Sequence, residues 1–359
     1  MRVVVSNSEP NPAETVAAAP SPDRRGPEEL QLLEPRDVPL GGLRAMKVRR
    51  TLPQRARSLI GAWCFLDHYG PDNVSETGGM NVPAHPHTGL QTASWLFSGE
   101  IEHRDSAGFH AFVRPGELNL MTAGHGISHS ERSTPSTTVL HGAQFWIALP
   151  QSASHTPKTF VNYVPPPLRG PDWSAHVFLG SLLGETSPVP THTPLVGAEL
   201  RMNPGVRLTF SIDPTFEHGV LVDTGSVTMT RGGAGSARGG SPALELDQEQ
   251  LGFAPLGADV LQLIAGENGA RLLFLGGEPL GEQIVMWWNF IGRSHEDISA
   301  ARADWQAQIA KVGVTDPDLE APRHAESAIA DRFGLPNDEP DPPLPAPPLP
   351  IARLLPRRQ

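Results

Sequence analysis

Cysteine is almost absent from this chain: Cys64 stands alone among 359 residues. That single count excludes a disulfide framework and a thiolate metal cage. Set between Trp63 and Phe65, Cys64 reads as an inert core residue. No run of about 18 apolar residues occurs, so no membrane-spanning helix is expected. The apolar segment near Met1 is too short for a secretory signal, and a cytoplasmic location is expected. Cations are in deficit, with 28 Lys and Arg against 39 Asp and Glu, for a net charge of −11. A surface of that sign repels phosphate backbones, so direct contact with nucleic acid is not expected.

Proline and glycine, by contrast, are plentiful at 38 and 36 residues, and they are unevenly spread. Residues 1–35 lack periodicity and read as a disordered arm. From Met46 onward the chain breaks into short alternating runs separated by turns. Met46–Leu52, Gly61–Gly70, Leu90–Phe97, Ile101–Asp105, His110–Val113, Leu118–Thr122 and Leu140–Leu149 each read as a strand. Strands at spacings of about 8–12 residues without intervening helical patterns indicate a β-barrel or sandwich. Beyond the Pro165-Pro166-Pro167 linker a second β-rich segment follows. Its strands are expected at 175–180, 195–202, 206–212, 219–224, 226–230, 259–265 and 271–276, with a mobile loop over 231–241.

One helix closes the ordered part. Ser294 with Asp297 three residues on reads as its N-cap. Ile298, Ala301, Trp305 and Ile309 then recur at helical spacing. The expected domains are a disordered arm at 1–35, a metal-binding barrel at 36–165, a metal-free barrel with the helix at 166–312, and a Pro-rich disordered tail at 313–359. The tail reads as a polyproline linker or docking arm.

Chemistry concentrates at the two ends of the stretch from Gly79 to Glu131. His85-Pro86-His87 and His129-Ser130-Glu131 each place two ligand-type side chains at i and i+2, on one face of a strand. Two such strands side by side would bring His85, His87, His129 and Glu131 to a single ion. Three neutral imidazoles and one carboxylate leave a divalent ion with open positions, as in non-haem iron oxygenases. Affinity does not choose the metal, because nickel, copper and zinc bind such donors more tightly than Fe(II) does.

Phe65-Leu66-Asp67-His68, His85-Pro86-His87-Thr88-Gly89 and the run from Gly99 to Ser106 resemble signatures of the pirin family. So do Met121-Thr122-Ala123-Gly124, His129-Ser130-Glu131, and Gly277 to Leu280 with Met286 to Glu296. The resemblance spans about residues 36–312. It implies an all-β bicupin, two β-barrels packed face to face, with metal only in the first. It further implies that His85, His87, His129 and Glu131 hold Fe(II), with nickel, cobalt, manganese, copper or zinc also taken up on isolation. An activity like that of quercetin 2,3-dioxygenase is implied, on a small aromatic substrate such as a flavonol. Glu131 would then be catalytic, accepting the substrate's hydroxyl proton. The alternative implied is an iron-dependent regulator that binds a protein partner, a transcription factor or metabolic enzyme, without turnover. A monomer is expected.

Two positions depart from the family pattern: His125, where arginine is usual, and Gln91, where a cupin often carries glutamate. A hydrogen-bonding role is expected for His125, and no fifth ligand at Gln91. Glu102, His103, Arg104 and Asp105 read as a salt-bridged hairpin rim. Trp287 to Phe290 reads as packing for the C-terminal segment.

Overall fold

Residues 29–40, 46–232, 242–314 and 332–357 are described by the structure, a computed structural model. The loop expected at 231–241 lies outside the described residues from 233 onward. The first half of the chain folds into two antiparallel sheets. One is seven-stranded, in the order Thr159–Tyr163, Leu118–Thr122, Leu90–Ser98, Val139–Ala148, Trp63–Asn73, Met46–Leu52, Arg36–Leu40. The other is four-stranded, in the order Asn81–His87, Ile127–Ser133, Ile101–Asp105, His110–Val113. Val48, Tyr69 and Leu96 of the first sheet pack against Val82, Ile101 and Val113 of the second, which closes the barrel around an apolar core.

The second barrel is built on two long strands, Glu217–Gly232 and Val260–Gly277. Sequence reading divides each into two strands with a turn. The chain bends there instead of turning. The pairing of the two strands shifts register between Val222 and Thr224 and again between Gly225 and Val227. Gly225 takes φ +78°, and a Cβ on it would sit 1.9 Å from the Gly269 carbonyl oxygen. A glycine bulge of this kind lets one strand curve through a barrel corner without leaving its partner.

The two barrels meet face to face. Trp95 stacks on Phe178 at 4.7 Å, and the Trp63 indole donates to the Gly276 carbonyl at 3.0 Å. One continuous apolar cluster runs from Leu59, Trp63 and Leu66 to Leu221, Leu273 and Leu275. The all-β, two-barrel architecture expected from sequence is present. Among the described residues, no helix is long and apolar enough to cross a membrane.

Both ends of the chain depart from the expected boundaries. Gln31–Leu33, assigned above to a disordered arm, is a strand paired with Leu251–Phe253 of the second barrel. Leu33 supplies the reason, since it is buried in the cluster between the barrels. Beyond Gly277 the chain returns to the first barrel. Ile291 donates its N–H to the Thr88 carbonyl at 3.0 Å. The helix His295–Ala310 starts in a capping box of Ser294 and Asp297 and buries Ile298, Ala301, Trp305 and Ile309, as its spacing predicts.

The Pro-rich tail is also not free where it is described. Phe333 is buried between Phe290 and Trp305, and Leu344 enters the core of the first barrel. Its proline-rich sequence lacks any periodicity. Isolated apolar residues nevertheless dock it, and the Trp305 indole and the Gln306 side chain bind its backbone at Leu344 and Ala346.

Candidate metal centre

Two neighbouring strands carry the ligand-type residues. Asn81–His87 and Ile127–Ser133 pair antiparallel, with His129 opposite His85 and Ile127 opposite His87. The register slips between His129 and Glu131, so that Glu131 lies opposite Val82. The extra residue falls in the strand that contains Pro83, which has no N–H to donate to a ladder. The tail completes this irregular stretch, because Leu344 donates its N–H to the Ala84 carbonyl at 2.8 Å.

His85, His87 and His129 converge, with ring nitrogens within 4.8 Å of one another, and all three are buried. Hydrogen bonds at the far side of two rings fix their protonation. His85 Nδ1 lies 3.0 Å from the Pro83 carbonyl and His87 Nδ1 lies 3.1 Å from the Asn289 carbonyl. A carbonyl can only accept, so each Nδ1 carries the proton and each Nε2 presents a lone pair. His87 Nε2 lies 3.0 Å from His129 Nε2. Burial lowers the pKa of all three, His85 to about 4, and so favours neutral rings. With the His129 proton on Nδ1, the Nε2 lone pairs of His87 and His129 face one another, an arrangement that a shared cation stabilises. The donor set therefore fits a divalent metal.

Glu131 sits in the same cavity but in a second group of ligand-type residues, with His129 and His103. Its Oε2 accepts from the Gln144 amide at 3.0 Å, and burial pushes its carboxyl pKa up. Gln91 bonds the Thr122 hydroxyl at 2.9 Å and does not line the cavity. His125 does not line it either; its ring stacks on His155 at 4.8 Å, where a side-chain hydrogen bond was expected.

The hairpin rim expected at Glu102–Asp105 is only half a rim. Glu102 and Arg104 pair on the outer face at 2.7 Å. His103 and Asp105, one residue out of phase, point inward and are buried. Asp105 is fixed by N–H groups of Ala107 and Phe109 on Oδ1, and its Oδ2 accepts from His103 Nε2 at 3.1 Å. His103 Nδ1 then faces His129 Nδ1 at 3.4 Å. A consistent set of protons runs Asp105, His103, His129, and it leaves His129 Nε2 free for the metal. Outer carboxylate–imidazole partners of this kind typically tune metal affinity by 10–100-fold. His103→Ala is expected to weaken divalent-metal binding by about that factor, measured by competition with a chelator of known affinity. Unchanged affinity would show that the contact is packing alone.

Acid sensitivity follows from the same burial. His85, His87, His129 and, in the second barrel, His218 have folded pKa values below their ordinary 6.5; His85 and His218 lie near 4. As pH falls through this window the unfolded chain takes up protons that the folded chain refuses, so stability falls with pH. Urea midpoints of the metal-free protein are expected to drop between pH 7 and pH 5; equal midpoints would contradict the buried neutral assignment.

The structure also brings together a third set, His68, His141 and Asp223, at the barrel interface. His68 Nε2 donates to Asp223 Oδ1 at 2.6 Å, and Arg271 Nε binds Oδ2 at 2.5 Å. Arg49 stands 3.4 Å from His68 Nδ1, and Arg271 stands 3.4 Å from His141 Nδ1. Arginine already supplies the cations there, so this set reads as an ion-paired clamp between barrels. Sequence reading passed over it, because its members lie as far as 155 residues apart.

Beside the histidines lies a small cavity of about 20 Å³ that is partly open to solvent. Its walls are mainly apolar, with Phe65 stacked on Trp146 at 4.2 Å, together with Val48, Met80 and Val82. A planar aromatic molecule suits such walls.

Comparison with known proteins agrees with this architecture. Residues 44–147 match the Pirin family model, and residues 197–310 match the model of the Pirin C-terminal cupin domain. A Pseudomonas aeruginosa protein that carries a provisional quercetin 2,3-dioxygenase name is 40% identical over 82% of this chain and 89% of its own. A pirin-like protein of Caulobacter vibrioides is 32% identical over 76% of this chain and 91% of its own. The crystal structure of a quercetin 2,3-dioxygenase from Acinetobacter baumannii superposes with a TM-score of 0.76. It is 34% identical, covering 90% of this chain and 97% of that one.

Proposed function

Because the chain belongs to the pirin family, we propose that it is a metal-dependent dioxygenase that opens flavonol-type aromatics, with His85, His87, His129 and Glu131 as ligands to Fe(II). The observation that carries this reading is an aromatic-walled cavity lined by His85, His87 and Glu131, with His129 converging on the two histidines from behind. The 34% identity to a crystallised quercetin 2,3-dioxygenase supports the choice of substrate class.

Bound at these donors, iron would supply Lewis-acid and one-electron chemistry toward dioxygen. The protein's own groups do the rest. Phe65, Trp146 and Met80 flank the substrate ring and exclude water from it. Glu131, which lines the cavity, would take the proton from the substrate hydroxyl at one carboxylate oxygen. Gln144, held against the other side of that carboxylate, fixes its orientation. The Asp105–His103 pair keeps His129 in one tautomer throughout.

Iron-reconstituted protein is expected to bleach the quercetin absorption band in air and not under nitrogen. Failure to do so with iron, nickel or cobalt bound would overturn the assignment. The three metals are all needed, since the ion present after purification follows affinity and exposure and not function.

A further inference from the structure

The polar groups that line the cavity are nearly all committed. Asp67 is clamped by Arg50 through two bonds of 2.7 Å. Gln144 is given to Glu131, and the Nδ1 atoms of His85 and His87 are taken by backbone carbonyls. Tyr69 is the exception. Its side chain is 1% exposed, it lines the cavity, and its hydroxyl has no hydrogen-bond partner. Alternation along Trp63–Asn73 explains the placement. Phe65, Asp67 and Tyr69 share one face of that strand and look into the cavity, while His68 faces Asp223 of the second barrel.

A buried hydroxyl without a partner is unfavourable and uncommon. Phenylalanine would fill the same space without that cost. Burial, with Glu131 and Asp67 nearby, raises the Tyr69 pKa well above its ordinary value, so the group stays protonated and can donate. The donor is left for something that enters the cavity.

We propose that Tyr69 is the specificity-determining donor of this site. It bonds the second oxygen of a substrate whose first, ionised oxygen faces the histidine trio. This rests on the reading of the site given above and names the group that recognises the second oxygen of its substrate class. The cavity selects aromatics with two neighbouring oxygens, such as a hydroxyl beside a ketone, over simple phenols. Phe65, Trp146 and Met80 offer the ring only apolar contact, so the two oxygens alone set its orientation.

Oxygen-free titration of the iron-loaded protein tests this with two fluorescent probes, 3-hydroxyflavone with two adjacent oxygens and 2-naphthol with one. Tyr69→Phe is expected to lose about tenfold or more in affinity for 3-hydroxyflavone and nothing for 2-naphthol, with iron content unchanged. Equal affinity of native protein and variant for 3-hydroxyflavone overturns the role of Tyr69 and leaves the aromatic site standing. Parallel losses for both probes also overturn it, because the tyrosine would then serve only packing. If the native protein binds neither probe, the reading of the cavity itself fails, and this proposal fails with it.

Discussion

If the proposed site holds a divalent metal, replacing His129 by alanine is expected to reduce bound metal from about one ion per chain to below about a tenth, while the protein remains folded. His129 is the residue that both other rings depend on. Its Nε2 faces His87 Nε2, and its ring packs on that of His85 at 4.4 Å. Without it, two imidazoles and a carboxylate remain. The barrel is not expected to need a metal to fold, since its cores are made of apolar side chains. The metal-free variant should therefore unfold within a few degrees of the metal-free native protein. Metal analysis after iron reconstitution, with circular dichroism as a control, is the measurement. Full iron occupancy in the variant would show that the ligand set is wrong.

The largest loss of stability is expected away from the metal, at Asp223. This carboxylate is wholly buried and is reached by His68 at 2.6 Å, His141 at 2.6 Å and Arg271 at 2.5 Å. Burial alone would raise its pKa, but the close His141 and His68 imidazoles outweigh that and hold it well below the usual carboxylate range. Asp223→Ala leaves buried donors from two barrels without an acceptor. Breaking such a pair typically costs about 3–5 kcal/mol. A shift of that size in denaturant unfolding at pH 7 is expected. The native advantage should fade only at strongly acid pH, as the folded-state carboxylate becomes protonated. A change below about 1 kcal/mol would mean that the clamp is no stronger than a surface pair.

The candidate site was legible where its chemistry is local. Two ligand-type side chains at i and i+2 share a face on any strand, so the spacing itself pairs His85 with His87, and His129 with Glu131. Strand positions were legible for the same reason. The capping box at Ser294 was readable from four residues of sequence. Along Glu102–Asp105 the alternation was equally visible, but its phase was not. Which face of a hairpin looks inward depends on what packs against it, here the strand that carries His129. Thus a run of four charged or polar residues divides into an outer ion pair and an inner relay.

The tail shows the opposite error. Composition made it a free arm, because burial is usually announced by periodicity and a proline-rich strap has none. Phe333 and Leu344 are single apolar residues that find grooves already formed by Phe290, Trp305 and the first barrel.

Sequence alone indicated an all-β class and pairs of ligand-type residues, because strand periodicity and residue spacing are properties of neighbours along the chain; the two-barrel arrangement came from the family resemblance. Tertiary structure decided everything that depends on facing. It decided that three imidazoles converge while Glu131 stands to one side, and that His103 backs His129. It also set Asp223 between the barrels and left the Tyr69 hydroxyl unpaired. The reason is physical: a hydrogen bond or a coordination sphere needs atoms within about 3 Å, and strand pairing and barrel closure bring together residues that sequence keeps far apart.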